Sequence, residues 1–122
     1  MNDLISFNIR LKICRQLEVT GKLPHVRANH GSAIIGHNLY IFGGWSGTKR
    51  LNDLFTINLQ KLQWCQIEYS GHKPSPRAGM PLINYKNYLM LFGGSGSNSI
   101  YLNDLYFFDT CIIFIHLLFF SK

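Results

Sequence analysis

The chain repeats itself with a period of about fifty residues. Nine residues of one copy recur in the next: Gly21, Pro24, Arg27, Phe42, Gly43, Gly44, Asn52, Asp53 and Leu54 correspond to Gly71, Pro74, Arg77, Phe92, Gly93, Gly94, Asn103, Asp104 and Leu105. The offset is 50 up to the glycine pair (77−27) and 51 after it (104−53), so one residue is inserted between Ser95 and Tyr101. A period of this length is typical of repeat architectures, in which each unit buries its apolar face against a neighbour.

The register of the repeat predicts how the chain is organised. Residues 2–4 match residues 52–54, so residues 1–20 are predicted to form the second half of a unit. Residues 21–70 then form a complete unit, and residues 71–110 a further unit that lacks a recognisable fourth strand. Residues 111–122 are a divergent apolar tail.

Composition indicates a packed protein and excludes some partners. Hydrophobic residues make up 47% of the 122 residues and aromatic residues 14%, which rules out a disordered chain. Twelve Lys and Arg against six Asp and Glu give a net charge of +6. These cations are scattered rather than clustered, and no nucleic-acid-binding module accompanies them, so nucleic acid is not expected to be a partner.

The three cysteines, Cys14, Cys65 and Cys111, form no CxxC pair and have no His at metal-ligand spacing. They are predicted to be free thiols in a reducing compartment, with Cys65 as a buried small hydrophobe beside Trp64. No metal site and no cofactor is predicted.

The amino terminus lacks the basic start and apolar stretch of a secretory signal. An intracellular location is therefore expected, cytoplasmic, with the nucleus as the alternative. The long apolar run at residues 111–120 is about half the length that a membrane-spanning helix needs, and it shows no amphipathic face. Membrane attachment is accordingly not expected.

The complete unit has the pattern of short β-strands. Residues 32–35 and 39–42 are apolar runs on either side of the turn residues 36–38, which predicts a hairpin. Residues 54–57 and 64–69 follow, the latter alternating apolar and polar side chains as a half-buried outer strand does. The sequence thus predicts four strands in each unit of about fifty residues.

The repeated residues are interpreted as scaffold. Glycine pairs end the second strand of each unit, where backbones approach closely or take positive φ. Asp53 and Asp104 open the third strand, where short polar side chains fix the turn. Arg27 and Arg77 are predicted to bond loop carbonyls or a buried carboxylate, with an anion-binding pair as the alternative. The positions given this structural role are Arg27, Gly43, Gly44, Asp53, Trp64, Arg77, Gly93, Gly94 and Asp104.

Together these residues resemble kelch motifs. Arg27, His30, residues 39–44, residues 51–55 and Trp64 are similar to one motif. Arg77, residues 89–94 and residues 102–109 are similar to a second, and the resemblance covers most of the chain. It implies an all-β fold, namely an incomplete kelch β-propeller made of four-stranded antiparallel blades.

The chain departs from the kelch pattern at three places. Cys14 stands where Trp64 would be expected, Met80 replaces His30, and no Trp follows Asp109. Residues 111–120 either pair as a buried fourth strand or are unrelated sequence, and we favour the strand. Because propellers close with roughly four to eight blades, the two and a half predicted here are expected to be a fragment, or to be completed by self-association or by another chain.

The resemblance implies a non-enzymatic protein–protein interaction scaffold that binds a partner protein through blade loops. The alternative is a fragment of a larger kelch protein, such as a ubiquitin-ligase substrate adaptor or a kelch-linked oxidase or phosphatase. No catalytic constellation is evident in the sequence. Aromatic and cationic loop residues are the candidate contacts, because such side chains dominate interface energies. The predicted partner-binding residues are Trp45, Lys49, Arg50, Tyr101, His25 and His72, although Trp45 could instead cap its own blade.

Overall fold

The computed structural model describes residues 3–118, and this part of the chain is all-β, as predicted. The strands are β1 (Leu4–Asn8), β2 (Ile13–Leu17), β3 (Thr20–Gly21), β4 (Gly31–Ile35), β5 (Asn38–Trp45), β6 (Arg50–Asn58), β7 (Gln63–Ile67), β8 (Ser70–Gly71), β9 (Leu82–Tyr85), β10 (Tyr88–Ser95), β11 (Tyr101–Asp109) and β12 (Phe114–Leu118). A 3₁₀ turn, Ser97–Ser99, lies between β10 and β11. Among these residues no helix is long and apolar enough to cross a membrane.

The strands form one half blade and two full blades. The half blade is the ribbon β1–β2, the middle blade is the antiparallel sheet β4–β7, and the last blade is the antiparallel sheet β9–β12. The short strands β3 and β8 come from the linkers between blades and pair in parallel with the outermost strands, β7 and β12. The first strands of the two full blades, β4 and β9, contact each other. This arrangement is that of partial propeller blades.

The middle blade packs against a neighbour on each of its two faces. Alternation along β5 directs Tyr40 and Phe42 to the last blade, and Leu39 and Ile41 to the half blade. The larger core lies between the middle and last blades and contains Tyr40, Phe42, Leu54, Met80, Leu82, Leu89, Leu91, Tyr106, Phe108 and Ile115. The smaller core contains Ile41, Phe55, Ile57 and Trp64, against which Leu4 and Val19 pack. Trp64 therefore packs between units.

The last blade has a fourth strand. Strand β12 runs antiparallel to β11, with Leu105 opposite Leu118 and Asp109 opposite Phe114. Ile115 takes the place that Trp64 has in the middle blade (115−64 = 51) and is 4% exposed. The predicted boundary at residue 110 therefore falls between the third and fourth strands, because an Ile replaces the Trp that marks this strand. Residues 119–122 of the predicted tail lie outside the described part of the chain.

The prediction for Cys65 is wrong. Its thiol is exposed, as are those of Cys14 and Cys111. Successive side chains of a strand point to opposite faces. Because Trp64 packs toward the half blade, Cys65 points to the opposite face of the middle blade, where the last blade does not cover it.

Candidate functional site

A repeated Arg–Asp pair holds the end of each full blade. Arg27 donates through Nε to the carbonyl oxygen of His25 (3.0 Å) and through Nη1 to that of Gly43 (3.0 Å). Both Nη atoms of Arg27 also donate to the carboxylate of Asp53. A planar guanidinium suits this task, since it offers several donors in fixed directions.

Arg77 repeats the arrangement in the last blade with its side chain fully buried. It donates to the carbonyl oxygens of Ser75 and Gly93 and to both carboxylate oxygens of Asp104. Burial pushes the pKa of Asp104 upward, but the hydrogen bonds and charge of Arg77 outweigh burial and hold that pKa below its ordinary value. The guanidinium groups of Arg27 and Arg77 therefore donate to carbonyl and carboxylate groups of the fold itself.

The glycine pair at the end of β5 lets the two full blades meet. Gly43 forms a bulge in the pairing of β5 with β6 and has φ of +61°. A Cβ there would lie 2.7 Å from the carbonyl oxygen of Arg77. The same carbonyl accepts a hydrogen bond from the backbone N–H of Gly44 (2.9 Å). The last blade is thus bonded directly to the end of β5.

Two hairpin loops and the two linkers between blades meet at one end of the sheets, which we call the loop end. The hairpin loops join β5 to β6 and β10 to β11, and their closing pairs are Trp45 with Arg50 and Ser95 with Tyr101. The loops have four and five residues, which confirms the predicted single insertion. Backbone bridges from Ala28 to Trp45 and from Ala78 to Ser95 tie the linkers to the same end.

A cleft at the loop end contains Trp45 and Arg50. Arg50 lies with its Cζ 5.7 Å from the centre of the Trp45 ring, a cation–π contact. Its Nη2 donates to Ser95 Oγ in the last blade (2.9 Å), so the side chain bridges two blades. Its Nε is buried without a hydrogen-bond partner among the described residues. We call this space of about 220 Å³ the Arg50 cleft; it is lined by Asn29, Trp45, Arg50, Ala78, Gly79 and Ser95.

Lys49 and Tyr101 flank the cleft at the same end. Lys49 closes a tight turn in which its backbone N–H donates to Ser46 Oγ (3.2 Å), and its side chain is exposed. Tyr101 is 86% exposed and pairs with Ser95 across the neighbouring hairpin. Trp45 itself is 38% exposed, so it both contacts Arg50 and presents surface to solvent.

The two predicted histidines lie away from the cleft. His25 lies beside Arg27 and lines a groove that faces the half blade. His72 donates its backbone N–H to the carbonyl oxygen of Ile115 on the outermost strand. Both Ile115 and Leu89 pair with the same residue of β11, so they lie at the same level of the sheet. Leu89 is six residues before Ser95 on β10 (95−89), so this level is roughly 20 Å from Ser95 at about 3.3 Å per residue.

Sequence reasoning missed Ser95 and Asn29 as members of the cleft. A signal was present, because Ser95 is the repeat equivalent of Trp45 (95−45 = 50) and Tyr101 that of Arg50 (101−50 = 51). Positions that diverge where their surroundings repeat are candidates for function rather than scaffold. Within residues 3–118 no cluster of three or more His, Cys, Asp or Glu side chains could hold a metal ion.

The strand order, the paired glycines and the repeated Arg–Asp pairs define a propeller-type repeat protein. The family model described as the KLHDC2/KLHL20/DRC7 Kelch-repeats domain matches residues 1–111. The chain belongs to the Kelch-repeat domain family, and this membership indicates a protein-interaction module.

Three relatives illustrate the range of proteins that carry similar sequence. The chain is 38% identical over 92 residues to Rho GTPase-activating protein gacHH of Dictyostelium discoideum, covering 70% of this chain and 6% of that protein. It is 30% identical to human Leucine-zipper-like transcriptional regulator 1, covering 88% and 13%. It is 34% identical to mouse Kelch domain-containing protein 1, covering 84% and 26%. The chain thus spans about a quarter or less of each of these proteins.

Proposed function

We propose that the chain is a non-enzymatic protein–protein interaction scaffold that binds a partner protein at its loop end. The observation that carries this proposal is the Arg50 cleft, in which Arg50 contacts the Trp45 ring of its own blade and is held to the last blade by its hydrogen bond to Ser95. Trp, Tyr and Arg are the side chains that most often dominate interface energies. The rings of Trp and Tyr offer a large contact area at a small entropic cost.

The four loop-end candidates divide into a core and a rim. Trp45 and Arg50 form the core, since both are partly enclosed and Arg50 is fixed by Ser95. Lys49 and Tyr101 form the exposed rim on either side. His25 and His72 contribute only for a partner that extends beyond the loop end onto the sides of the blades.

Capture of partner proteins from cell extract tests this proposal. The double variant Trp45→Ala/Tyr101→Ala removes the exposed aromatic contacts of the loop end and is expected to lose most captured partners. The matched control is Leu11→Ala/Ile112→Ala, which removes two exposed side chains from turns at the opposite end of the blades. Equal capture by both double variants would refute the proposal.

We also propose that the outward face of the last blade packs against a further kelch-type blade, supplied by a second copy or by another chain. The argument comes from the repeat itself. In the middle blade Tyr40, Phe42 and Leu54 cover the last blade. Their equivalents at offsets 50 and 51 are Met90, Phe92 and Leu105, and Ile83 beside them is 55% exposed. The same apolar face therefore recurs, and the surface that fits it in this fold is that of another blade.

A further inference from the structure

Arg50 differs from the other two arginines at the loop end in how its guanidinium is bonded. Arg27 and Arg77 donate through Nε and both Nη atoms, each to carbonyls and a carboxylate. Arg50 donates through Nη2 to Ser95 alone, and within residues 3–118 no carboxylate pairs with it. Its buried Nε is unpaired in the same part of the chain. Since a guanidinium has five N–H groups, Arg50 retains donor capacity that the fold does not use.

Other donors surround this guanidinium. Ser95 Oγ accepts from Arg50, which leaves the hydroxyl hydrogen of Ser95 available to donate. Asn29, which carries an amide side chain, is among the residues that line the same cleft, and Lys49 is adjacent to Arg50 in the sequence. No Asp or Glu is among the residues that line the cleft. The local charge is therefore positive and lacks a counterion from the described residues.

The direction of these donors favours a tetrahedral oxyanion over a carboxylate. A carboxylate is bound best by two parallel N–H groups along one edge of a guanidinium. In the observed rotamer the Nη2 of Arg50 is hydrogen-bonded to Ser95 and the neighbouring Nε is buried, so this edge does not present two N–H groups to a carboxylate. The remaining donors come from three separate segments. A phosphoryl group offers three acceptor oxygens and a charge of about −1.5 to −2 near neutral pH, so it can accept from several directions at once.

We propose that the Arg50 cleft binds a phosphoryl group carried by a Ser or Thr of a partner protein. This inference rests on the proposed function, because it names the chemistry recognised at the same loop end. Arg50 and Ser95 contact the phosphoryl oxygens, Lys49 adds charge at the rim, and the Trp45 ring packs against the residue next to the modified one.

The test uses peptide pools with a fixed central phosphothreonine between random residues. Matched pools carry Thr or Glu at the centre, and inorganic phosphate is titrated separately. The binding site is located by the NMR signals of two side-chain N–H groups, the indole N–H of Trp45 and the Nε–H of Arg50. We expect the phosphothreonine pool to shift both signals, and Arg50→Gln and Ser95→Ala each to weaken binding by about tenfold or more, as loss of a charge-assisted hydrogen bond does.

The control variant is Arg10→Gln, which removes the same charge from the exposed turn of the half blade and is expected to bind normally. Thermal unfolding verifies that each variant folds. If Arg50→Gln does not fold, the binding measurement on Ser95→Ala decides the test. Unchanged affinity in Ser95→Ala and Arg50→Gln overturns the proposal. So does equal binding of the Glu pool, which indicates a carboxylate site, or binding of inorganic phosphate as tight as that of the peptides, which indicates a small-anion site.

Failure of this inference is distinguishable from failure of the proposed function. Cell extract is divided, and one half is treated with phosphatase before partner capture. Capture that resists phosphatase but is lost in Trp45→Ala/Tyr101→Ala supports the scaffold and overturns the phosphoryl site. Capture that neither phosphatase nor the double substitution reduces overturns the phosphoryl site and the proposed scaffold function together.

Discussion

At the scale of single residues, the same amino acid does two different things at the loop end. Arg27 and Arg77 are bonded by carbonyls and a carboxylate on every side, so each locks a linker onto the end of a blade. Arg50 lies near them but meets one hydroxyl and one indole ring. What separates scaffold from candidate site is therefore the number of acceptors that the fold supplies to the guanidinium.

The Arg77–Asp104 pair predicts a pH dependence of stability. The folded-state pKa of Asp104 is held below its ordinary value. Its contribution is therefore complete above the unfolded-state pKa of about 3.9 and is lost as pH falls through the folded-state pKa. Urea unfolding at pH 7 and pH 3 should show that Asp104→Asn is less stable than the parent chain at pH 7 and that the gap narrows at pH 3.

The control for this measurement is Asp3→Asn, which alters an exposed carboxylate in the half blade. It is expected to change the free energy of unfolding little at either pH. A gap between Asp104→Asn and the parent chain that stays constant from pH 7 to pH 3 would show that ionisation of Asp104 does not stabilise the fold.

At the scale of secondary-structure elements, the bulge that ends β5 sets the distance between the two full blades. Gly43 has φ of +61°, and Gly36 in the turn between β4 and β5 has φ of +59°. The two positions differ in their surroundings. A Cβ at Gly43 would lie 2.7 Å from the carbonyl oxygen of Arg77, whereas nothing lies within 4 Å of a Cβ at Gly36.

Comparison of alanine variants at these two glycines separates the cost of backbone strain from the cost of steric overlap. Gly36→Ala is expected to destabilise by about 1–2 kcal/mol, the cost of a left-handed conformation for an L-residue. Gly43→Ala carries the same strain and adds an overlap with the last blade of about 1–3 kcal/mol. Urea denaturation of both variants provides the comparison. Equal losses of stability would mean that the contact between Gly43 and Arg77 does not constrain the blades.

The fourth strand of the last blade gives a further prediction at this scale. Ile115 is 4% exposed in the core between blades, whereas Ile112 in the preceding turn is 65% exposed. Ile115→Ala should reduce the free energy of unfolding by about 2–5 kcal/mol, and Ile112→Ala should change it by less than about 0.5 kcal/mol. Similar small effects for both variants would argue that β12 does not pack as a blade strand.

At the scale of the whole molecule, the sequence predicted the architecture better than the site. Glycine pairs, Asn–Asp pairs and strand periodicity are local signals that recur, so they predicted the hairpins and the inserted loop residue. The fourth strand after Asp109 was harder to recognise, because Ile115 replaces Trp and the outward positions Phe114 and Leu118 hide the alternation. The Arg50 cleft combines residues from two blades, and their contact depends on packing that no single repeat encodes.

The association proposed for the last blade concerns the molecule as a whole. The apolar face that the middle blade packs against the last blade recurs on the last blade, and among the described residues no further sheet covers it. Ile83 on that face is 55% exposed, and Ile100 in the β10–β11 loop is 57% exposed. Burying a large apolar side chain stabilises by about 1.5–3 kcal/mol.

Light scattering over a wide concentration range measures this association through the average mass. We expect the mass of the parent chain to rise with concentration, because burial of the recurring face favours contact with a blade of a second copy. Ile83→Lys should suppress the rise by placing a charge in that contact, while Ile100→Lys, with the same charge change at similar exposure, should leave it intact. A well-folded parent chain that remains monomeric at high concentration rules out the second copy, and a bound blade from another chain then remains to be found in the capture experiment.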